Sequence, residues 1–342
     1  MDFTAARFND ENAAREHLEG LRWPQGPVCP HCGGADRQSR LEGKAHRPGL
    51  LFCGHCRQQY SVTVGTVFER SKIPLHKWVL ATHLLCASKK GMSSHQLHRM
   101  LGVTYKTAWF MSHRIREAFK IPETSGPVGG GGKIVEADET FWGTIKGRKP
   151  RGGRKGRGGG GDHKHKILAL VERDGTARSF HIANVDHKSL KPILQAQIAK
   201  DTHLMTDGAH HYRELGKDFF AHETVNHTQG QYAKKSRKVA GVVAHTNTVE
   251  SFFGIFKRGL IGTYHHVSEA HLQRYCHEFD FRYTHRKATD EDRAASALRQ
   301  VSGKRLTYKS TNAAAWISDI GRPRNASRRC KSQAERASSV AA

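Results

Sequence analysis

The sequence predicts an α/β protein in which a small metal-binding domain and a helical module precede a larger domain built on a sheet. Three observations predict this arrangement. Residues 1–65 contain two close cysteine pairs, residues 66–122 have apolar side chains at helical spacing, and residues 123–300 alternate short apolar runs with helical stretches. A chain of 342 residues is long enough for two or three such domains.

The charge balance predicts a polyanionic partner. Lysine and arginine together number 56, against 31 aspartate and glutamate residues, which gives a net charge of +25. Such an excess favours DNA or RNA first and an anionic membrane surface second. No apolar run approaches the length of a membrane-spanning helix, and the polar N-terminus lacks the apolar segment of a secretory signal. We therefore expect a cytoplasmic protein with no membrane partner.

The cysteine pairs predict a zinc ribbon within residues 1–65. The CPHC and CGHC motifs are separated by 20 residues, a span that suits a β-ribbon between two metal-binding knuckles. A tetrahedral Zn²⁺ shell takes four thiolates, which here would come from Cys29, Cys32, Cys53 and Cys56. The alternatives are a redox dithiol or chance pairing, and His31 or His55 could replace one cysteine. The odd total of seven cysteines also favours metal ligation over a disulfide framework.

Residues 66–122 predict a helix-turn-helix module. A first helix begins at Pro74, a second is capped by Ser93 or Ser94, and a third is capped by Thr104 after a short turn. The third helix would enter the major groove of DNA with its N-terminal end first. Its polar and basic side chains are the candidate DNA contacts, namely Thr104, Tyr105, Lys106, His113, Arg114 and Arg116. The alternative is a three-helix bundle with a solvated basic face.

Beyond residue 133 the pattern becomes that of a mixed α/β domain. Short apolar runs predict strands over residues 133–138, 167–171, 177–182, 203–206 and 223–226. The dipeptide Asp174-Gly175 predicts a hairpin turn between the second and third of these strands. Helical spacing predicts helices over residues 190–198 and 247–281, the latter with a break at 259–262.

Three acidic side chains in this region have the context of metal ligands. Asp138 and Asp207 each follow a short apolar strand, and Glu250 lies early in a helix. Two strand-borne aspartates and one helix-borne glutamate can hold two Mg²⁺ ions for in-line phosphoryl displacement. Lys257 follows Glu250 by close to two helical turns and could direct a phosphate toward the metals.

Each of these acids also has a plainer interpretation. An aspartate after a strand is often a turn residue, and a glutamate at this spacing from a lysine is usually part of a solvated helix face. Glu136 would point to the same face of its strand as Asp138 and so competes for the same role. Glu139 and Asp186 are further competing acids.

A set of longer motifs adds to this interpretation. Besides the cysteine pairs they are KIPLHKW (72–78), SKKG (88–91), LGVTYKTAW (101–109), HRIR (113–116), VEADET (135–140), TDG (206–208), HTNTVESFF (245–253), FKRG (256–259) and EFDFRY (278–283). In this order, over about residues 20–310, the chain resembles the zinc-ribbon insertion-sequence transposases of the ISXO type, a branch of the DDE recombinases.

The resemblance implies an RNase H-like catalytic domain, with a mixed five-stranded sheet flanked by helices. It implies Asp138 on the first strand, Asp207 after the fourth and Glu250 on a following helix. Lys257 matches the family's basic residue, and Asn247 is the nearest rival to Glu250, because the third acid varies among relatives. The resemblance also implies Mg²⁺ or Mn²⁺ at the acids, cleavage of DNA at terminal inverted repeats, and attack of the freed 3′-hydroxyl on target DNA.

Further expectations follow from the resemblance together with the composition of the chain. The partner would be double-stranded DNA, and the protein would form a homo-oligomer of at least two subunits, associated with the nucleoid of a prokaryotic cell. Arg258, in the FKRG motif, is a further candidate DNA contact. The Gly/Arg-rich stretch 143–166 would be a flexible clamp on the DNA backbone or a solvated hairpin tip, and the basic tail 301–342 would be disordered. Two other classes stay open: a catalytically inactive DNA-binding derivative and a structure-selective nuclease.

Overall fold

The computed structural model describes residues 2–122, 124–149 and 161–308 of the chain. Its helices are α1 (Ala6–Asn9), α2 (Glu11–Arg22), α3 (Leu75–Ala87), α4 (Ser94–Leu101), α5 (Tyr105–Ala118), α6 (His187–Gln197), α7 (Tyr212–Leu215), α8 (Asn247–Gly259), α9 (Glu269–Thr284) and α10 (Asp290–Arg299). Its strands are β1 (Gln38–Arg40), β2 (Leu51–Cys53), β3 (Gln59–Tyr60), β4 (Ile134–Trp142), β5 (His165–Glu172), β6 (Ala177–Ile182), β7 (His203–Asp207), β8 (Ala221–Val225), β9 (Lys234–Lys235) and β10 (Val243–Ala244). Among the helices described, none combines the length and the apolarity that a bilayer crossing requires.

The N-terminal strands form a three-stranded antiparallel sheet in the order β1-β2-β3. Cys29 and Cys32 lie before β1, whereas Cys53 ends β2 and Cys56 lies in the turn before β3. Gln38 at the start of β1 pairs with Cys53, so the two knuckles come to the same end of the sheet. The β-ribbon predicted between the cysteine pairs is confirmed.

The three helices of residues 66–122 begin at the caps that the sequence predicts. α3 starts directly after Pro74, and α4 is capped by Ser93, whose hydroxyl accepts a hydrogen bond from the Gln96 N–H at 3.1 Å. α5 is capped by Thr104 in the same way. Gly102 has a φ of +60°, a conformation that glycine adopts without strain, and this permits the tight turn between α4 and α5.

One hydrophobic core joins the ribbon to the helical module. Phe8 of α1, Tyr60 of β3 and Trp78 of α3 are buried in it together. Helix α10, which the sequence interpretation places in the sheet domain, returns to this core through Ala297 and Leu298 and packs on α3 and α2. The N-terminal regions and α10 therefore form a single packed body.

The central sheet has five strands in the order β6-β5-β4-β7-β8. Strands β4, β5 and β6 pair antiparallel, whereas β4, β7 and β8 pair parallel, so the expected mixed five-stranded sheet is confirmed. The hairpin predicted at Asp174-Gly175 joins β5 to β6. β4 continues to Trp142, beyond its predicted end, because it pairs with β5 over almost its whole length.

Alternation along β4 divides its side chains between two cores. Val135 and Ala137 face the core that includes α6 and α7. Glu136 and Asp138 point to the opposite face, against which α8 and α9 pack. The break predicted at 259–262 corresponds to a π-helical turn, Leu260–Tyr264, that separates α8 from α9.

Two predicted segments fall largely outside the described residues. The Gly/Arg-rich stretch is described only over 143–149 and 161–166, and the basic tail only to residue 308. Trp142 of β4 pairs with His165 of β5, so the stretch connects two neighbouring antiparallel strands. The first residues of the predicted tail, 301–308, pack on the N-terminal body: Val301 is buried in its core, and the Lys304 ammonium donates to the Ala118 carbonyl at 2.9 Å. The rest of the tail and most of the predicted clamp lie outside the described residues.

Candidate functional site

The two predicted aspartates lie side by side on the sheet. Ala137 of β4 pairs with Thr206 of β7 in parallel register, and Asp138 and Asp207 are the next residues of these strands. Neighbours at the same level of a sheet share a face, so both aspartates point toward the side of α8. Burial first, and then negative charge on neighbouring carboxylates, Asp207 and Glu250 among them, raise the pKa of Asp138 to about 7. The charges of Asp207 and Glu250 are therefore close enough to act on Asp138.

Glu250 lies in the first turn of α8, which packs on β4 and β5. Its side chain is 44% exposed, and its carboxylate accepts a hydrogen bond from the Thr246 hydroxyl at 3.1 Å and lies 3.4 Å from Nδ1 of His227. The carboxylate oxygens of Asp138, Asp207 and Glu250 do not all lie within 4.8 Å of one another. The three acids therefore lie in one region, between the sheet and α8, but their carboxylates are not close enough together to form a single ligand cluster.

The local charge favours a cation between these acids. Asp138 accepts a hydrogen bond from the Glu139 N–H at 2.7 Å, and Asp207 accepts one from the Ala209 N–H at 3.0 Å. Over the part of the chain that the structure describes, no basic side chain forms an ion pair with either aspartate. Negative charge is thus concentrated without a compensating protein cation, and hard divalent cations prefer carboxylate oxygens. This donor set fits Mg²⁺ or Mn²⁺.

Glu136, the nearest competitor to Asp138, anchors the N-terminus of α8. Its buried carboxylate accepts hydrogen bonds from the N–H groups of Thr248 and Val249, at 2.8 and 3.0 Å, and from the Thr248 hydroxyl at 2.9 Å. It also pairs with the Arg173 guanidinium at 2.6 Å. A carboxylate in this position satisfies free N–H groups and complements the helix dipole. Glu136 is thus occupied in holding the fold, and Asp138 is left to face the site.

The other two competing acids also have structural partners. Glu139 lies on the opposite face of β4, where the Tyr212 hydroxyl donates to its carboxylate and Nε2 of His211 lies 3.4 Å away. Asp186 caps α6 by accepting a hydrogen bond from the Ser189 N–H at 2.7 Å. These contacts account for both acids without a catalytic role.

Replacing Glu136 by glutamine is expected to loosen the start of α8. The substitution removes the charge that pairs with Arg173 and weakens the contacts to the helix N–H groups, so the free energy of unfolding should fall by about 1.5–3 kcal/mol. Urea denaturation followed by circular dichroism measures this change. The matched control is Thr248→Val, which removes only one hydroxyl contact to the same carboxylate and should have a smaller effect. Equal stability of Glu136→Gln and the unsubstituted chain would contradict the anchoring role.

Lys257 and Arg258 lie on the exposed surface of α8, about two helical turns beyond Glu250. Nε of Arg258 donates a hydrogen bond to the Gly254 carbonyl at 3.0 Å. Within the described ranges neither side chain forms an ion pair with an acid. Two positive charges therefore face solvent on the helix that carries Glu250, and such charges suit a phosphate group.

The N-terminal tip of α5 presents three of the predicted DNA contacts to solvent. Thr104, Tyr105 and Lys106 are exposed, and Tyr105 stacks on His95 of α4 with ring centroids 4.2 Å apart. The Lys106 ammonium lies 4.9 Å from the ring centroid of Tyr308. The Thr104 hydroxyl is also the cap of the helix. A polyanion can reach this tip of the module.

The DNA contacts predicted in the second half of α5 are wrong, because His113, Arg114 and Arg116 are buried. α9 packs on α5, and Nε of Arg116 pairs with Glu278 of α9 at 2.6 Å. Arg114 donates to the Glu69 carbonyl at 2.8 Å. Burial lowers the pKa of His113 far below its usual range, so its ring is neutral. This half of α5 holds the protein together and is closed to nucleic acid.

The four predicted zinc ligands form one cluster. The Sγ atoms of Cys29 and Cys56 lie 3.6 Å apart, as do those of Cys32 and Cys53. All four sulfur atoms lie within 4.8 Å of one another, and neither histidine of the knuckles belongs to the cluster. Four clustered thiolates are the donor set of a structural Zn²⁺ site, so the cluster fits a zinc ribbon.

Comparison with known proteins identifies relatives for both parts of the chain. Residues 129–284 match the ISXO2-like transposase domain, and residues 9–59 match the transposase zinc-ribbon domain. Over 288 residues the chain is 30% identical to an uncharacterized protein in transposable element ISH50 of Halobacterium salinarum. That alignment covers 80% of this chain and 91% of the relative. The first match runs from before β4 to the end of α9 and so contains Asp138, Asp207, Glu250 and Lys257.

Proposed function

The chain belongs to the ISXO2-like transposase family, as its motifs indicate, and from this premise we propose that it cuts DNA at the ends of an insertion sequence and joins the freed 3′-hydroxyls to target DNA. The observation that carries the proposal is the position of Asp138 and Asp207 on adjacent parallel strands, facing the helix that carries Glu250. We also assign the sheet, in the order β6-β5-β4-β7-β8, to an RNase H-like fold.

Asp138, Asp207 and Glu250 would hold Mg²⁺ or Mn²⁺. When bound, such a cation activates an attacking water or hydroxyl and stabilises charge on the leaving oxygen. The Glu250 carboxylate would leave Thr246 and turn toward the aspartates, and its 44% exposure leaves room for this movement. Glu136 would meanwhile keep the start of α8 fixed to β4.

The remaining task of the chain in this reaction is to position phosphates. Lys257 and Arg258 would bind the DNA backbone beside the acids, because both are exposed on α8. In phosphoryl transfer, positioning and the neutralisation of charge supply most of the catalysis, and little covalent chemistry is asked of the protein.

The tip of α5 would read the terminal inverted repeats from the major groove of DNA. Its exposed Tyr105 and Lys106 support this assignment, as does the net charge of +25. The buried half of the same helix packs on α9, which links the reading module to the sheet. Because two element ends must be held together, the protein would act on DNA as at least a dimer, in the nucleoid of a prokaryotic cell.

Replacing Lys106 by alanine is expected to weaken binding to the repeats. Each lost phosphate contact lowers the dependence of log K on log salt concentration by about 1, and affinity for the repeat should fall with it. Fluorescence anisotropy over a series of salt concentrations measures both quantities. Lys217→Ala, which removes an exposed lysine paired with Glu214 on the sheet domain, is the control. A salt slope unchanged by Lys106→Ala would exclude Lys106 from the DNA contact.

Strand cleavage on duplexes that carry the flanking inverted repeats tests the proposal. The assay uses Mg²⁺ or Mn²⁺ and compares the unsubstituted chain with Asp207→Asn and with Asp174→Asn, a turn aspartate outside the site. We expect metal-dependent cutting at the repeat ends that Asp207→Asn abolishes and Asp174→Asn retains. Repeat-specific binding without cutting would point to an inactive DNA-binding derivative. Cutting that ignores the repeats and prefers branched or hybrid substrates would point to a structure-selective nuclease.

A further inference from the structure

A second cluster of metal-ligating side chains lies away from the acids and from the cysteines. His165 is the first residue of β5, His181 lies near the end of β6, and Glu269 is the first residue of α9. One ligand atom from each lies within 4.8 Å of those of the other two. Over the described residues, the zinc-ribbon cysteines are the one other cluster with this property.

The sheet and α9 hold these three side chains in place. Ile167 of β5 pairs with His181 of β6, so alternation puts His165 and His181 on the same face, the one that α9 covers. The His181 N–H donates to Gln273 of α9 at 2.7 Å, and Gln273 donates in turn to the Ser179 carbonyl at 2.9 Å. Strand and helix are thus fixed to each other beside the cluster by hydrogen bonds, and the ligand positions are preformed.

The two histidine rings are buried side by side. Their side chains are almost wholly buried, and the rings meet edge to face with centroids 5.3 Å apart. Nδ1 of His165 is buried and has no hydrogen-bond partner among the residues that the structure describes. A buried polar atom without a partner is unfavourable unless it serves a further purpose.

We propose that His165, His181 and Glu269 bind a divalent transition-metal ion, for which Zn²⁺ is the best match. Two imidazoles and one carboxylate are a donor set that Zn²⁺ accepts in tetrahedral geometry, with a water in the fourth position. Mg²⁺ prefers oxygen ligands and would not select two imidazoles. The site therefore differs in metal preference from the carboxylates at Asp138 and Asp207.

The position of the cluster assigns it a mechanical role. His165 pairs with Trp142 at the base of the Gly/Arg-rich stretch, roughly 13 Å along β4 from Asp138 at about 3.3 Å per residue. Glu269 begins the helix that also holds α5 through Glu278. A metal ion at this point would join the base of the basic stretch to the helix that connects the sheet with the N-terminal module. The site is separate from the reaction itself, so it does not depend on the proposed function.

Titration of the metal-free full-length chain with Co²⁺ tests the proposal. Every protein in this titration carries Asp138→Asn, so that the acids around Asp138 bind less Co²⁺. Thiolate ligands give a charge-transfer band in the near ultraviolet, which reports the cysteine site alone. We expect the visible d–d absorption to keep rising after this band has reached its maximum, until one further Co²⁺ ion per chain has bound. The further ion should be lost in His165→Ala and in Glu269→Gln, and kept in His187→Ala, which removes an exposed histidine outside the cluster.

The result that would overturn the proposal is uptake that stops when the charge-transfer band is complete. Uptake of a second ion that Glu269→Gln and His165→Ala leave unchanged would overturn it equally, because the ion would then lie elsewhere. Glu269→Gln keeps the shape of the side chain, so a loss of the ion in this variant with an unchanged circular dichroism spectrum reports ligation and not misfolding. Zinc content by mass spectrometry after equilibration with Zn²⁺ should agree, with one ion fewer per chain in both variants.

Discussion

Replacing Asp138 by asparagine is expected to reduce the rate of DNA end cleavage by about a thousandfold or more. An amide at this position is a poor ligand for a hard cation, and a metal-stabilised transition state is worth several kcal/mol, with each 1.4 kcal/mol equal to a tenfold change in rate. Binding to the repeats should persist, because Asp138 lies on β4 and is not part of α5, to which repeat recognition is assigned. Single-turnover cleavage and anisotropy on the same duplex measure the two properties separately.

The same substitution should leave the metal-free fold at least as stable as before. Burial and the neighbouring carboxylates disfavour the ionised form of Asp138, and they raise its pKa to about 7. An asparagine of the same shape carries no charge into this position, and its carbonyl can still accept from the Glu139 N–H. Lost cleavage together with retained stability would identify a functional acid. Lost cleavage with a large loss of stability would instead indicate that Asp138 serves the fold.

Replacing Glu278 by alanine is expected to destabilise the protein by about 3–5 kcal/mol. Glu278 is fully buried between Arg116 of α5 and Arg282 of its own helix, and the Tyr264 hydroxyl donates to it as well. Removal of the carboxylate leaves two buried guanidinium groups without their counter-charge. Urea denaturation measures the loss, and Glu214→Ala, at an exposed surface pair, should leave stability nearly unchanged. A loss for Glu278→Ala no larger than that of the control would contradict this account of the α5–α9 interface.

The same carboxylate makes stability depend on pH in the acid range. Burial by itself raises the pKa of Glu278, but Arg116 and Arg282 outweigh it and hold the pKa at about 2, against 4.5 for an unperturbed glutamate. The folded protein therefore binds this proton less readily than the unfolded chain. The contribution is complete above pH 4.5 and is lost as the pH falls toward 2. In Glu278→Gln this part of the acid dependence should disappear.

Local patterns predicted the elements that carry the site. The apolar run before Asp207 predicted a strand over 203–206, and the structure has β7 at His203–Asp207. Caps at Ser93 and Thr104 predicted where two helices begin, because capping depends on residues close in sequence. Both aspartates were singled out because each comes directly after a short apolar run; in the structure Asp207 ends β7, whereas Asp138 lies in the middle of β4.

Long-range packing could not be predicted in this way. Arg116 has the pattern of a solvated basic residue, and its partner Glu278 lies 162 positions later. The sequence did contain one signal, the EFDF motif, in which two acids alternate with aromatic residues on a helix. In the structure Glu278 of this motif pairs with Arg116, and Asp280 accepts a hydrogen bond from the Ser179 hydroxyl at 2.6 Å. Acids in such surroundings are buried when they have partners, but the sequence does not name the partners.

The choice between Glu136 and Asp138 likewise required the fold. Both residues lie on one face of β4, and periodicity cannot separate them. The two residues are distinguished by the N-terminus of α8, which lies against β4 at Glu136. Two backbone N–H groups of this helix donate hydrogen bonds to the Glu136 carboxylate. The cluster of His165, His181 and Glu269 could not be predicted from the sequence for a related reason, because its three members come from three separate elements that meet only in the fold.

Binding of Mn²⁺ to the protein on a repeat-bearing duplex tests the central claim most directly. Electron paramagnetic resonance reports free Mn²⁺, so the bound fraction follows from the loss of signal. The account predicts that Asp207→Asn binds less Mn²⁺ than the unsubstituted chain, while Asp174→Asn, at the β5–β6 turn, binds the same amount. Equal Mn²⁺ binding by all three proteins would contradict a metal site at Asp138, Asp207 and Glu250.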